Sequence, residues 1–191
     1  MTRSEIINIF RETGALLEGH FILTSGKHSS SYFQCSRVLQ HPKYLTLFAE
    51  MIAKHFKEEK IDKVISPAIG GVVLGTEVGR IFNTQTIFAE RKDGDMSIRR
   101  GFEIKPNENI LIVEDVITTG GSVNEVIDQV QKYKGNIVGI AVIVDRSNGK
   151  VKLHKNQFSI VALEAITYNQ DDIPESLSSI PAEKPGSREI I

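Results

Sequence analysis

Two adjacent carboxylates stand at the end of an apolar run in the middle of the chain. Glu114 and Asp115 follow residues 110–113, which are all Ile, Leu or Val, and a Thr/Gly/Ser segment spans residues 118–122. Ligands of open α/β sheets bind at the carboxyl ends of strands, where small-residue loops and helix N-termini offer backbone N–H groups to a phosphate. The carboxylates would repel that phosphate and suit sugar hydroxyls instead. The spacing therefore predicts a site for a sugar phosphate.

The same segment also has a purely structural interpretation. Ser122 with Glu125 three residues later forms a capping box that would begin a helix after the loop. We expect this cap to be present, but it does not explain two acids directly after an apolar strand. The loop is not a Walker motif, because no Gly-Lys-Ser/Thr ends it, and its glycine spacing does not match a dinucleotide-binding fingerprint.

The elements around this segment alternate between short apolar runs and helical periodicity. Continuous apolar runs are typical of strands buried on both faces, and their alternation with helices favours a parallel sheet. The sequence therefore predicts an α/β fold with a central parallel sheet of about five strands flanked by helices. The predicted strands are 64–66, 86–89, 110–113, 137–144 and 159–163, and the predicted helices are an opening helix ending near Gly14 and the segments 42–59, 72–82 and 122–133.

Composition and charge exclude several classes of protein. The chain has 191 residues, which predicts one domain, and its net charge of −1 disfavours a general nucleic-acid binder. The longest apolar stretch, 137–144, is far shorter than the ~20 residues of a membrane span, and charges interrupt the apolar pattern at the N-terminus. The single cysteine, Cys35, excludes an intramolecular disulfide. We therefore expect a cytoplasmic protein with neither a nucleic-acid nor a membrane partner.

Residues 113–122 (VEDVITTGGS) resemble the phosphoribosyl-pyrophosphate motif of type I phosphoribosyltransferases. Further segments occur in the order seen in the orotate phosphoribosyltransferase family: 23–27 (LTSGK), 32–33 (YF), 66–71 (SPAIGG), 88–92 (FAERK), 144–146 (VDR) and the tail 184–188 (KPGSR). The resemblance implies a type I phosphoribosyltransferase fold over 1–191. A core at about 41–170 would carry a small hood subdomain formed by about 15–40 and the C-terminal tail.

This resemblance implies transfer of ribose 5-phosphate from 5-phospho-α-D-ribose 1-diphosphate (PRPP) to orotate, a step of pyrimidine synthesis. Mg²⁺ is the implied cofactor, held through PRPP and not directly by protein ligands. Arg91 and Lys92 match an Arg-Lys pair that would stabilise the departing pyrophosphate, and Asp115 is the third residue expected to take part in catalysis. The remaining residues expected to bind PRPP are Glu114, Thr118, Thr119, Gly120, Gly121 and Ser122, with Ala68, Ile69 and Gly70 as the pyrophosphate loop.

The basic segment 90–105 has two interpretations. Its acidic residues balance most of its charge, as in an ordinary solvated hairpin. The resemblance implies instead a flexible loop that closes over the active site, often that of the partner subunit in a homodimer. The segment contains no His, whereas the best-known family members have one there.

Residues that would bind orotate come from both ends of the chain. Arg146 follows the strand 137–144, and a guanidinium is the natural bidentate partner of a carboxylate. The resemblance adds Lys27, Tyr32 and Phe33 from the hood, and Thr118 where ribose meets the base. The sequence departs from some members at Thr24, where they have Lys.

Two other functions remain open on these residues. The first is the same transfer to a purine or uracil base, which Lys27 and Arg146 disfavour because neutral bases have no carboxylate. The second is a PRPP-sensing regulator without activity. The first 20 residues are too short for the DNA-binding domain that such a regulator would carry.

Overall fold

The computed structural model describes residues 1–23, 25–164 and 166–184. Thr24 and residues 185–188 of the tail motif therefore lie outside the described residues. Contacts divide the chain into two compact units: unit 1 contains residues 1–38 and the segment from Glu164 onward, and unit 2 contains Leu39–Leu163.

The elements alternate along the chain. In order they are α1 (Arg3–Glu12), β1 (Leu16–Ile22), β2 (His28–Phe33), α2 (Ser36–Leu39), α3 (Pro42–His55), β3 (Lys63–Pro67), α4 (Gly70–Phe82), β4 (Gln85–Lys92), β5 (Asp95–Ile98), β6 (Asn109–Ile117), α5 (Gly121–Lys132), β7 (Asn136–Asp145), β8 (Gln157–Ala162), β9 (Thr167–Tyr168), a short 3-10 helix (Gln170–Asp172), α6 (Glu175–Ser178) and β10 (Ala182–Glu183). None of the described helices combines the length and the apolar composition that a bilayer crossing needs.

Unit 2 is built on a six-stranded sheet in the order β5-β4-β3-β6-β7-β8. Five of these strands, β4, β3, β6, β7 and β8, are parallel, and β5 is an antiparallel edge strand. The α/β class and the parallel five-stranded sheet are thus confirmed, with one additional hairpin strand. Strand β3 is buried along its whole length, as expected for a strand covered on both faces.

Two strands extend beyond the apolar runs that predicted them. β4 continues to Lys92, and β6 continues to Ile117, so Glu114 and Asp115 lie within β6 and do not follow it. Backbone pairing persists because each extension has a neighbouring strand: Lys92 pairs with Asp95 of β5, and Ile117 pairs with Asp145 of β7. Composition marks where a strand is buried, whereas pairing decides where it ends.

The segment 90–105 begins as a tight hairpin between β4 and β5. Its turn is formed by Asp93 and Gly94, both with positive φ, of 55° and 95°. Met96 and Ile98 of β5, and Ile104 beyond it, pack into the hydrophobic core of unit 2. This segment is therefore anchored to unit 2 along β5 and again at Ile104.

Unit 1 contains a four-stranded sheet in the order β10-β1-β2-β9, so two strands of the C-terminal segment flank the N-terminal hairpin. Two buried histidines reinforce this arrangement. His20 Nδ1 lies 2.9 Å from the carbonyl oxygen of Ile180, His20 Nε2 lies 2.6 Å from His28 Nδ1, and His28 Nε2 lies 2.9 Å from Gln170 Oε1. The hydrogen-bonded pair therefore ties the C-terminal segment to the hairpin.

Candidate active site

A cleft of about 190 Å³ opens where β6 ends and α5 begins. Gly120 occupies the left-handed region with φ of +78°, and a Cβ there would come within 2.9 Å of Val151 Cγ1 and 3.0 Å of Leu153 Cδ1. Both the backbone conformation and this close packing require glycine. The lining residues are Arg91, Glu114, Val116, Ile117, Thr118, Thr119, Gly120, Gly121, Ser122 and Val123.

The predicted capping box at the start of α5 is wrong. The N-cap is Gly120, and no side chain of the described residues caps the helix. Glu125 turns instead to Arg91, with which it forms an ion pair at 2.8 Å. Since the first N–H groups of a helix lack helical partners, an anion bound in the cleft could accept hydrogen bonds from them.

Glu114 and Asp115 form a pair of adjacent carboxylates with little solvent around them. Burial raises the pKa of Glu114 well above its usual value, and the charge of Asp115 raises it further. Burial also raises the pKa of Asp115. Their described hydrogen bonds are local: the Asp115 N–H donates to Glu114 Oε1 at 2.9 Å, and the Val116 N–H donates to Asp115 Oδ1 at 2.9 Å. Carboxylates shifted in this way mark a candidate functional site.

The start of α4, directly after the loop that follows β3, lies against this acidic pair. A Cβ on Gly70 would lie 2.5 Å from Asp115 Oδ2, and one on Gly71 would lie 2.9 Å from Glu114 Oε1. The Ala68 N–H donates to the Ala89 carbonyl at 2.7 Å, and the Ala68–Ile69 peptide bond is cis. The predicted pyrophosphate loop therefore adjoins the two carboxylates at the same edge of the sheet.

The basic residues of segment 90–105 have different partners. Arg91 lines the cleft and pairs with Glu125 of α5. Arg99 and Arg100 both pair with Glu90, at 3.6 and 2.9 Å, so the hairpin satisfies their charge internally. Lys92 is exposed beside the hairpin turn and is not among the residues that line the cleft.

Arg146 and Thr118 lie together at the ends of adjacent strands. The Arg146 N–H donates to the Ile117 carbonyl at 2.8 Å, directly before Thr118. The turn that follows is fixed by Asp145, which accepts hydrogen bonds from the Ser147 N–H at 2.7 Å and the Gly149 N–H at 3.0 Å. The structure thus places Arg146 and Thr118, which the sequence analysis assigns to the base on separate grounds, at neighbouring strand ends.

The three remaining predicted residues lie in unit 1. Lys27 is exposed between β1 and β2, and Tyr32 is half-buried with its ring 5.9 Å from that of Phe21. Phe33 is buried and packs edge-to-face on Phe10 at 4.9 Å between ring centroids. The Phe33 ring therefore belongs to the core of unit 1, which departs from its predicted contact with the base.

Three residues that contact the lining of the cleft are not predicted from the sequence. The sequence indicates Glu125 only as part of a helix cap, because its partner Arg91 lies 34 residues earlier in the chain. Val151 and Leu153, which pack on Gly120, carry an apolar alternation that could have indicated a covering segment. In the described part of the chain, no group of three or more His, Cys, Asp or Glu side chains could hold a metal ion.

Comparison with known proteins finds relatives that are phosphoribosyltransferases. Residues 34–171 match the phosphoribosyl transferase domain family. The chain is 56% identical to an orotate phosphoribosyltransferase from Chlorobaculum parvum over 188 residues, which cover 98% of this chain and 97% of the relative. It is 50% identical to an orotate phosphoribosyltransferase from a Thermoanaerobacter species over 190 residues, covering all of both chains.

Solved structures share the fold at lower identity. An orotate phosphoribosyltransferase from Aeropyrum pernix superposes with a TM-score of 0.72 at 20% identity, over 83% of this chain and 93% of that one. An adenine phosphoribosyltransferase from Thermoanaerobacter pseudethanolicus gives a TM-score of 0.61 at 16% identity, over 70% of this chain and 88% of that one. The same fold therefore occurs in proteins named for different bases.

Proposed function

This chain belongs to the orotate phosphoribosyltransferase family, and on that premise we propose that it transfers ribose 5-phosphate from PRPP to orotate. The products are orotidine 5′-monophosphate and diphosphate, and the step belongs to pyrimidine synthesis. A ring nitrogen of orotate releases its proton and forms the new bond to ribose C1 as the bond from C1 to diphosphate breaks. Catalysis of this kind depends mainly on positioning and on stabilising charge.

The sugar donor would lie along the carboxyl edge of the sheet. Residues 118–122 would hold its 5-phosphate through hydroxyl groups and the uncapped start of α5. Glu114 and Asp115 would accept hydrogen bonds from the ribose hydroxyls, and the loop containing Ala68, Ile69 and Gly70 would face the diphosphate. The contact between Gly70 and Asp115 supports this order, because ribose and diphosphate are adjacent in the donor.

Mg²⁺ is the cofactor that we propose for the reaction. The carboxylate side chains of the site and the phosphates of the donor suit such an ion, since Mg²⁺ prefers oxygen ligands and is often held mainly through substrate phosphates and waters. The ion would bind the oxygens of the donor, and the neighbouring carboxylates would fix the ribose hydroxyls. When bound, Mg²⁺ neutralises charge on the departing diphosphate.

Orotate recognition would centre on Arg146 and Thr118. Arg146 would pair with the orotate carboxylate, and Thr118, beside it, would contact the base where ribose joins it. Lys27 and Tyr32 remain further candidates from unit 1. Phe33 is the weakest candidate, because its ring is buried against Phe10.

We also propose that the protein acts as a homodimer in the cytoplasm. Arg91 lines a cleft of its own chain, so Lys92, exposed beside the hairpin turn, is the stronger candidate to reach a partner's site. Mixing Lys92→Ala with Asp115→Asn tests this, because one mixed-dimer site would then be intact. We expect activity well above that of either variant alone, and no recovery would contradict the contribution from the partner.

The observation that carries the proposed function is the acidic pair Glu114–Asp115 beside an uncapped phosphate cleft, with Arg146 at the next strand end. The experiment is a spectrophotometric assay of orotate consumption with PRPP and Mg²⁺, run beside uracil, adenine and hypoxanthine. We expect absorbance loss with orotate only when PRPP and Mg²⁺ are both present. Arg146→Ala should raise the KM for orotate far more than the KM for PRPP, whereas Lys155→Ala, an exposed control on the following loop, should change neither.

Three other outcomes have distinct meanings. Activity with another base alone would retain the phosphate site and reject orotate as the acceptor. Tight PRPP binding without activity on any base would favour the sensing regulator. An equal rise in both KM values of Arg146→Ala would assign Arg146 a structural role.

A further inference from the structure

The ion pair between Arg91 and Glu125 joins two elements at the mouth of the phosphate cleft. Arg91 Nε donates to Glu125 Oε2 at 3.1 Å, and Arg91 Nη2 donates to both Oε1 and Oε2, at 2.8 and 2.9 Å. The pair connects the end of β4 with the start of α5. A planar guanidinium held along its Nε/Nη2 edge has a fixed orientation.

The two partners face different cavities. Arg91 is one wall of the cleft formed with residues 118–122. Glu125 is not among the lining residues of that cleft but lines a separate cavity of about 460 Å³, together with residues of β5 such as Asp95 and with Asp128 one turn later on α5. The carboxylate therefore contacts the guanidinium from outside the cleft and leaves the cleft itself free for an anion.

We propose that Glu125 is a positioning residue, which holds the Arg91 guanidinium against the cleft so that it meets the phosphate monoester of the sugar donor, and not the diphosphate that the family resemblance predicts for Arg91. The described residues that line this cleft include one cation, Arg91, and one carboxylate, Glu114. Among these described lining residues, Arg91 would thus be the one positively charged side chain available to a bound phosphate. The inference rests on the proposed function for the identity of the donor.

Pre-orientation explains why a carboxylate would help an anion site. Both side chains are partly exposed, at 44% for Arg91 and 39% for Glu125, so solvent screens much of the negative charge of Glu125. A free arginine would have to be ordered when the ligand binds, and that ordering opposes binding. Paying this cost in advance corresponds to about tenfold in affinity.

The test measures binding of ribose 5-phosphate by calorimetry alongside steady-state kinetics. Glu125→Gln should weaken ribose 5-phosphate binding and raise the KM for PRPP, each about tenfold, with the KM for orotate unchanged. Arg91→Ala should weaken binding at least as much. In the Arg91→Ala background, Glu125→Gln should have no further effect, because Glu125 acts through Arg91. Asp128→Asn, one turn away and outside the cleft, is the matched control and should bind normally.

The outcomes separate this inference from the proposed function. Tighter binding by Glu125→Gln would overturn the inference, since Glu125 would then compete with the phosphate. Additive losses in the double variant, or no binding of ribose 5-phosphate by the unmodified protein, would also overturn it. If the predicted binding pattern holds while the unmodified protein consumes no orotate, the positioning role stands and the proposed function fails.

Discussion

Charged residues at the two ends of the central sheet differ in whether they have oppositely charged or hydrogen-bonding partners. At the amino end, Lys63 is buried, and its ammonium group donates to the Glu103 carbonyl at 2.7 Å and to Glu108 Oε2 at 2.9 Å. Asp62 accepts a hydrogen bond from the Asn109 N–H at 2.9 Å. Charges at this end are therefore matched, as expected for residues that stabilise a fold.

At the carboxyl end, two carboxyl groups lie side by side in surroundings that disfavour their charged forms. Glu114 is buried and Asp115 beside it is half-buried, and the pKa of each is raised, mainly by loss of solvent around it. At the amino end the shifts are opposite: a hydrogen bond from the Asn109 N–H lowers the pKa of Asp62. For Glu108, burial pushes the pKa upward, but hydrogen bonds from Lys105 and Lys63 outweigh it and lower the pKa.

This contrast indicates which end carries chemistry. Two adjacent carboxylates with raised pKa values oppose folding at neutral pH, so their presence is explained when a ligand donates hydrogen bonds to them. The ribose hydroxyls of the donor would do so. Each end can be mutated separately. Substitutions at the carboxyl end should reduce activity, whereas substitutions at the amino end should reduce stability.

Asp115→Asn should give the largest loss of activity. Removing the charged acceptor of a ribose hydroxyl should reduce kcat/KM about 100-fold, since hydrogen bonds to charged groups contribute roughly 1.5–3 kcal/mol. The thermal midpoint should stay near that of the unmodified protein. Asp62→Asn, the matched carboxylate at the amino end, should retain its activity per folded molecule. Near-normal turnover by Asp115→Asn would reject the site.

Lys63→Met should produce the converse result, with stability lost and activity retained. Removing one partner of a buried ion pair costs about 3 kcal/mol, which lowers the thermal midpoint by roughly 6–12 °C in a domain of this size. Calorimetry measures the midpoint, and the orotate assay below it measures activity. Adding Glu108→Leu should recover most of the stability. A fall in kcat/KM in Lys63→Met below the midpoint would show that the ends are coupled.

Gly70→Ala should have a smaller effect that is confined to the carboxyl end. The new Cβ would lie 2.5 Å from Asp115 Oδ2 and 2.8 Å from Asp115 Cγ, so the carboxylate must move. We expect kcat/KM for PRPP to fall about tenfold, comparable with the loss of one positioning contact. Thr76→Ala, exposed on the same helix, is the control and should be unaffected. Equal kinetics for the two variants would mean that Asp115 tolerates displacement.

The sequence predicted the architecture better than the contacts within the site. Apolar runs located all five parallel strands because both faces of such strands are buried, but they could not locate the strand ends. The Thr/Gly/Ser loop was predicted from its own composition. The contact of Gly70 with Asp115 and the pair of Arg91 with Glu125 could not be predicted, since each joins residues far apart in sequence.

Two expectations differ from the tertiary contacts in the structure. Ser122 and Glu125 have the spacing of a capping box, yet the long-range attraction of Arg91 determines where the Glu125 side chain points. The family resemblance predicts that Phe33 contacts the base, whereas its ring packs edge-to-face on Phe10 of α1. In both cases the contact joins residues that lie far apart in sequence.

The smallest expected effect is a pH dependence of stability with opposite sign at the two ends. Because the folded-state pKa of Glu114 is raised above its ordinary value of 4.5, its contribution to stability is present at low pH and is lost as pH rises through the raised pKa. Glu114→Gln, which stays neutral, should therefore match the unmodified protein near pH 4 and exceed its free energy of unfolding near pH 8.

The folded pKa of Glu108 is lowered, so its contribution to stability is present above pH 4.5 and is lost as pH falls through the lowered pKa. Glu108→Gln should accordingly be less stable than the unmodified protein near pH 8. Urea titrations at both pH values measure these differences, and the same sign for the two variants would mean that the ends of the sheet do not differ in the way described.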